Sequence, residues 1–349
     1  MPKEKWLIDP AELDEFQKIV YDLGLDESNI VRGGAGSGKT ILALYRAHEI
    51  LITSEIENSP PSFTVIVLTK TLSSFIKASI VSLGIDLRQV IHYEKWQGDS
   101  VDHLIVDECQ DFDEEQIDFL MSMKIKSIMF YGDSQQQIYD KGLSLEALRT
   151  KTLLPLKELE KNYRLPKTIA DFVSHLGTDK NLRDKCMREG FEKPRVIKFN
   201  SWQEELDFIM AEIRARNFTD VAILLPFNNK SSAKLTNAGI RNIESVIEYL
   251  DNKSFSYEAK LYFSNDTELD ELNFDSELPK IMTFHSSKGL QFETVFVPFC
   301  DYPVHDQWVI DTLTNSLYVA LTRAYKNLYI THTGKLTQFF KTVPPFKYD

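Results

Sequence analysis

Eight consecutive residues, Gly33-Gly34-Ala35-Gly36-Ser37-Gly38-Lys39-Thr40, constrain this chain more than any other stretch. They fit the spacing G-x-x-x-x-G-K-[ST], with a short apolar strand before them and an amphipathic helix after them. The glycines let the backbone curl so that consecutive N–H groups face inward, and the helix N-terminus behind adds partial positive charge. Such a cradle holds phosphates, with Lys39 bridging the terminal ones and Thr40 holding magnesium. In the helix that follows, Ile41, Leu44, Tyr45, His48, Leu51 and Ile52 recur at helical spacing and predict one apolar stripe, with His48 inside the core.

A second element completes the chemistry. Leu104-Ile105-Val106-Asp107-Glu108 reads as an apolar strand ending in two carboxylates, where a phosphate-bound metal sits in a parallel α/β sheet. Two acids permit two roles: Asp107 holds Mg2+, and Glu108 orients and deprotonates the attacking water. Together the two elements predict an enzyme that binds and hydrolyses ATP.

The rest of the chain supports that architecture. Asn29–Arg32, Thr64–Leu68, Leu104–Val106 and Ile125–Tyr131 read as buried parallel strands with helices between them. A second alternating series runs through Val196–Phe199, a helix from Trp202, Val221–Leu225, Ile281–Phe284, Val295–Val297 and Leu328–Ile330. The fold class is therefore α/β, with two doubly wound parallel-sheet domains over residues 1–160 and 161–349. Leu156–Pro166 is the connection, leading into a helix, while Glu57–Ser62 and the acidic stretch Ser264–Pro279 read as loops.

Hydrophobic residues make up 43% of the chain and charged residues 26%, and no run approaches the length of a membrane helix, so no membrane association is expected. The start, MPKEKWLIDPAELDEF, lacks the apolar stretch of a secretory signal, which points to the cytoplasm. Cys109, Cys186 and Cys300 are isolated and read as reduced, buried thiols. A net charge of −12 argues against coating nucleic acid through bulk electrostatics, so any nucleic-acid track is local.

Continued past its second acid, the strand end reads Asp107-Glu108-Cys109-Gln110-Asp111, and this DExQD form closely resembles the UvrD/Rep-like superfamily 1 helicases. The order of further motifs carries the resemblance over residues 12 to 332. Phe16-Gln17 is similar to the family's adenine-reading Q motif, in which Gln17 pairs bidentately with the adenine edge. Gly132-Asp133-Ser134-Gln135-Gln136-Gln137-Ile138-Tyr139 looks like the motif whose Gln senses the γ-phosphate, by register Gln136, and whose Tyr139 faces nucleic acid. Asn162-Tyr163-Arg164 resembles the interdomain motif in which Tyr163 stacks on adenine and Arg164 reaches the γ-phosphate.

In the second domain, Thr283-Phe284-His285-Ser286-Ser287-Lys288-Gly289-Leu290-Gln291-Phe292 matches the family element that touches both ATP and DNA. Thr283 and His285 fall on the nucleic-acid side, and Gln291 stands where many relatives carry a ribose-binding Glu. Leu317-Tyr318-Val319-Ala320-Leu321-Thr322-Arg323-Ala324 resembles the last motif, with Leu313, Leu317, Leu321 and Ala324 facing inward and Arg323 as a second arginine finger. The resemblance implies two RecA-like domains of the P-loop NTPase fold with ATP between them. Their closure would be coupled to hydrolysis, with 3′-to-5′ translocation on single-stranded DNA.

Departures narrow the expectation. Leu68 and Asp107 lie 39 positions apart and Arg164 and Thr283 lie 119 apart, too close for the accessory subdomains of full-size relatives. Thr69-Lys70-Thr71-Leu72 replaces the usual aromatic-containing sequence at the nucleic-acid face, where Thr69 is the expected contact. Tyr139 is followed by no tryptophan, leaving Tyr139, Phe75, Tyr93 and Trp96 as substitute stacking platforms. The alternative function is an ATPase regulatory subunit that switches a protein partner, such as a nuclease in a repair or defence complex.

Overall fold

The computed structural model describes residues 8–67, 80–98, 100–133, 142–177, 179–190, 192–226, 243–259, 272–301 and 307–349, the side chains of 307–312 excepted. The chain divides into two compact units, Met1–Tyr163 and Arg164–Asp349, so the division falls three residues past the expected 160.

Six strands build the first unit's sheet: β1 (Asn29–Gly33), β2 (Phe63–Val67), β3 (Val90–His92), β4 (His103–Val106), β5 (Ser127–Gly132) and β6 (Leu156–Leu159). Their order is β3-β2-β4-β5-β1-β6, and every pairing is parallel. The side-chain period of two sends alternate residues to opposite faces. Val31, Val65, Ile105 and Met129 join one core cluster. Ile30, Ile66, Leu104, Val106 and Phe130 join another. A sheet buried on both faces explains why its strands read as unbroken apolar runs. The edge strand β6 escapes a sequence reading because its two central residues, Lys157 and Glu158, are charged and only Leu159 is buried.

Caps start the helices. Asp14 and Gln17 form a capping box at Glu15–Tyr21, Asp113 and Gln116 do the same at Glu114–Ser122, and Ser144 caps Leu145–Thr152. Helix Lys39–Ile56 differs from the expected stripe. Leu44 and Tyr45 are buried, but Ile41, His48 and Leu51 are half-buried and Ile52 is 41% exposed. The buried face instead carries Leu42, Ala43, Arg46, Ala47 and Ile50. Arg46 belongs there because it donates to the carbonyls of Leu23 (2.5 Å), Gly24 (2.6 Å) and Leu25 (2.9 Å), capping the chain that leaves the first helix. His48 Nδ1 sits 2.8 Å from Leu83 O, at the edge of the core.

β7 (Asn162–Pro166) carries the chain across the division between the units, where sequence alone suggested a connection. The second unit adds β8 (Cys186–Arg188), β9 (Arg195–Lys198), β10 (Val221–Leu225), β11 (Glu258–Ala259), β12 (Lys280–Thr283), β13 (Phe292–Val297) and β14 (Ala324–His332). Its six-stranded parallel sheet has the order β11-β12-β10-β13-β14-β9. Ile223, Leu225, Ile281, Phe296 and Tyr329 meet Leu206, Ile209 and Ile213 of helix Trp202–Arg216 and Val246 and Leu250 of helix Ile243–Asn252. Helix Gln307–Leu321 ends before Ala324, which begins β14, yet Leu313, Leu317, Leu321 and Ala324 are all buried as expected.

All three cysteines are buried and unpaired with one another. No helix among the described residues is long and apolar enough to cross a membrane.

Candidate functional site

In the first unit β4, β5 and β1 are neighbours, so their carboxyl ends bring three sequence elements together. These are Asp107-Glu108, Gly132-Asp133 and the glycine-rich loop, gathered where a doubly wound sheet binds ligands.

The loop is shaped from outside. Lys39 Nζ donates to Gly33 O at 2.7 Å and to Gly34 O at 3.1 Å. Asn162 Nδ2 donates to Ala35 O, Tyr163 N donates to Gly36 O at 2.9 Å, and Gln17 Nε2 donates to Ser37 O at 3.0 Å. With the carbonyls of Ala35, Gly36 and Ser37 drawn toward the protein, the neighbouring peptide N–H groups turn toward the concave side. Gly38 has φ 94°, and a Cβ there would lie 2.6 Å from Gln17 Nε2, so both conformation and space require glycine. Ser37 Oγ is buried with no hydrogen-bond partner among the described residues. An orphaned hydroxyl, a buried ammonium and inward N–H groups fit an anionic phosphate.

Gln17 is 2% exposed, and both poles of its amide are engaged. Oε1 accepts from Asp14 N at 3.1 Å while Nε2 reaches Ser37 O. Both poles of the Gln17 amide thus brace the helix cap against the loop. Asp14 also receives the Tyr163 hydroxyl. Burial, and then this bond to Asp14, push the Tyr163 phenol well above its usual range.

Thr40 Oγ1 donates to Asp107 Oδ2 at 2.7 Å, joining the start of the helix to the end of β4. Asp107 is 1% exposed. Burial foremost, and then the Glu108 charge, push its carboxyl upward, against the Thr40 bond and Lys39. A cation between these groups and phosphate oxygens would relieve that cost, and one carboxylate with substrate oxygens is a usual donor set for Mg2+. Among the described residues no group of three His, Cys, Asp or Glu side chains gathers as an alternative metal centre.

Glu108 adopts φ 55° and ψ 41°, the left-handed region that a residue with a long side chain seldom occupies. Such strain costs on the order of 1–3 kcal/mol and gathers at functional sites. It turns the carboxylate out of the strand direction and starts the turn Cys109–Asp111. Gln110 Nε2 donates to Glu108 Oε2 at 2.6 Å, and Gln110 Oε1 accepts from Asp133 N at 3.0 Å.

In the second unit, Arg164 Nε donates to Gln291 Oε1 at 3.2 Å. Arg323 is 1% exposed; its Nε donates to Val319 O (2.8 Å), Nη1 to Leu290 O (3.2 Å) and Nη2 to Thr322 Oγ1 (3.0 Å). Gln291 and Arg323 precede β13 and β14, so both lie at the amino edge of the sheet. Thr283 ends β12 and His285 follows it, so both lie at the opposite, carboxyl edge. Residues 284–291 thus run from one edge to the other, connecting the expected nucleic-acid contacts to the expected nucleotide contacts. Thr283 Oγ1 donates to Ser286 Oγ at 3.0 Å and accepts from Ser286 N at 3.1 Å, so its hydroxyl caps this turn. Burial, and then Lys288, lower the His285 pKa, which keeps the imidazole neutral.

Thr69, Phe75, Gln136 and Tyr139 lie outside the described residues. Tyr93 and Trp96 pack on the cluster of Val106, Phe112 and Leu120, which makes them core residues before stacking platforms. Two residues that shape the site, Gln110 and Asn162, are absent from the expected set although each sits inside a quoted motif. The available signal was a side-chain amide flanked by residues of assigned role.

A family model of the UvrD-like helicase C-terminal domain matches residues 229–335, and one of the viral superfamily 1 RNA helicase core domain matches residues 29–200. The chain is 26% identical over 164 residues to a protein of Rickettsia felis described as a probable DNA helicase II homolog, covering 43% of this chain and 25% of that one. It is 24% identical over 196 residues to the DNA helicase II of Rickettsia typhi, covering 52% and 29%. Among solved structures, the PRRSV helicase is similar at 15% identity with a TM-score of 0.45, covering 90% of this chain and 54% of that one. The chain spans about a quarter of the length of the first of these curated relatives.

Proposed function

We propose, because the chain belongs to the UvrD-like superfamily 1 helicases, that it is an ATP-hydrolysing motor that translocates 3′ to 5′ on single-stranded DNA. The observation that carries the ATPase reading is the Thr40–Asp107 bond, set beside a loop whose carbonyls are tied outward and followed directly by Glu108.

Thr40 and Asp107 would hold Mg2+, which when bound supplies charge neutralisation for the phosphates. Lys39 and the N–H groups of residues 33–40 orient the terminal phosphates, and Glu108 takes the proton of the attacking water. Gln136 senses the γ-phosphate, Tyr163 stacks on adenine, Gln17 and Gln291 border the nucleoside, and Arg164 and Arg323 stabilise charge on the transferred group. Arginines in that role raise rates by roughly 10³ to 10⁵. Hydrolysis is thereby coupled to closure and opening of two RecA-like lobes, because loss of the γ-phosphate removes the ligand they share. What supports a link to the polymer is the single segment joining His285 to Gln291. Thr69, Tyr139, Thr283 and His285 form the nucleic-acid face, where a neutral His285 donates a hydrogen bond to a backbone phosphate.

The test is ATP turnover with single-stranded DNA, single-stranded RNA or no polymer, using Glu108→Gln as the inactive control. Strong stimulation by DNA that weakens with salt supports a translocase. Turnover indifferent to every polymer, or raised only by an added protein, defeats it and favours a regulatory ATPase.

A further inference from the structure

Gln110 is fully buried, and its amide touches two elements of the nucleotide site at once. One end, Nε2, donates to Glu108 Oε2 at 2.6 Å, short enough for a charge-assisted bond. The other end, Oε1, accepts from Asp133 N at 3.0 Å, where the chain leaves β5. The close approach is built in on that side as well. A Cβ on Gly132 would lie 2.7 Å from Gln110 Oε1 and 2.6 Å from Cys109 Sγ. Any larger residue at 132 pushes the amide away.

The carboxylate it holds is on a strained backbone. Glu108, at φ 55°, has a side chain with three rotatable bonds, and the left-handed turn decides only its starting direction. A base must sit within hydrogen-bond reach of the water it activates, and small misplacements are costly. Only a side chain that both donates and accepts, at glutamine length, spans from Glu108 to Asp133 N. A glutamate at 110 has no proton for Glu108 when ionised, and an asparagine is one methylene short.

We infer that Gln110 is a positioning residue for Glu108, fixing the base by reference to the exit of β5 at Asp133. The inference rests on the reading of Glu108 as the base of an ATPase.

Four chains test it: wild type, Glu108→Gln, Gln110→Met and the double variant. Affinity is measured with a fluorescent ATP analogue and hydrolysis by single-turnover kinetics. Gln110→Met binds the analogue within about threefold of wild type while its rate falls by about tenfold or more, a loss in kcat with little change in KM. In the Glu108→Gln background the same change has no further effect, because a residue that acts through Glu108 has nothing left to position. The inference is overturned if Gln110→Met turns over like wild type, or if the double variant is slower than Glu108→Gln by a further factor of about ten. Gln110→Asn is the second probe, since it keeps an amide in the core and loses the span. Should both Gln110 variants lose nucleotide binding with turnover, Gln110 serves the fold alone and the inference is wrong. Should Glu108→Gln itself turn over normally, the reading of Glu108 as base fails, an outcome distinct from failure at Gln110.

Discussion

Thr40 Oγ1 lies 2.7 Å from Asp107 Oδ2 although 67 positions separate them in the chain. The bond joins the first turn of one helix to the carboxyl end of β4, two strands away from β1, and in the function proposed above this pair would hold one cation. Thr40→Ala is expected to weaken the apparent Mg2+ affinity in ATP turnover by about 10-fold or more, while Thr40→Ser stays near wild type. A titration of turnover against Mg2+ checks this, and equal curves for Thr40→Ala and wild type would refute it.

Gly132→Ala should destabilise the first unit. Its Cβ would meet Cys109 Sγ at 2.6 Å, Gln110 Oε1 at 2.7 Å and Leu145 Cδ2 at 2.9 Å, none of which is the loose end of an exposed side chain. Overpacking of this kind costs about 1–3 kcal/mol. Denaturant unfolding followed by far-ultraviolet circular dichroism reads the loss, and a midpoint unchanged from wild type would show that the site relaxes freely.

As an arginine finger, the role the family resemblance implies, Arg323 would on substitution by Ala cost turnover while leaving ATP binding nearly intact. The structure adds a second effect, because the guanidinium also serves Val319 O, Leu290 O and Thr322 Oγ1 inside the fold. The variant should lose turnover by about 10³. It should also melt earlier, since Leu290 O and Thr322 Oγ1 lose a buried donor, although Val319 O keeps the Thr322 hydroxyl, and a buried acceptor left without a donor costs about 1–3 kcal/mol. Calorimetry beside single-turnover kinetics separates the two; a melting temperature equal to wild type would contradict the buried network.

His103 links stability to acidity. Ser127 Oγ donates to Leu25 O at 2.7 Å, so its single proton is spent and His103 Nδ1, 2.8 Å from that oxygen, must be the N–H donor. Burial, joined by the Arg46 and Lys126 charges and opposed by Asp102 and Asp26, holds the pKa below its ordinary 6.5. Below 6.5 the unfolded chain binds a proton that the folded chain resists, so this contribution is complete above 6.5 and declines as the pH falls through the window beneath it. Melting temperatures from pH about 5 to 8 should therefore drop at the acid end, and His103→Gln should flatten that drop. Parallel wild-type and variant profiles would refute the assignment.

Much of the fold is legible in the chain because both sheets are covered on both faces. β1, β2, β4, β5, β10, β12 and β13 are legible because each carries a run of buried apolar residues, with buried polar side chains such as Asn29, His103, Ser127 and Lys280 mostly at the strand starts. β6 and β7 are not legible, because Leu156–Pro166 is partly solvated and its charged residues, Lys157, Glu158, Glu160, Lys161 and Arg164, follow no strand period. The buried face of helix Lys39–Ile56 is misjudged at Arg46 for a related reason. A guanidinium enters a core only when carbonyls from elsewhere meet it, and those of Leu23, Gly24 and Leu25 are invisible to periodicity.

The site divides along the same line. Residue types and spacing by themselves determined the phosphate loop, the paired acids and the order of the motifs, because that chemistry needs particular side chains at fixed local offsets. Which groups hold them was decided only by the tertiary structure. Asn162, Tyr163 and Gln17 reach the loop carbonyls, and Gln110 reaches both Glu108 and Asp133, through contacts made after the chain has folded back on itself. A local motif can specify the groups that react. The contacts that aim them reach distant positions, Gln17 to Ser37, Asn162 to Ala35 and Gln110 to Asp133, and only the packing of strands and helices sets those distances.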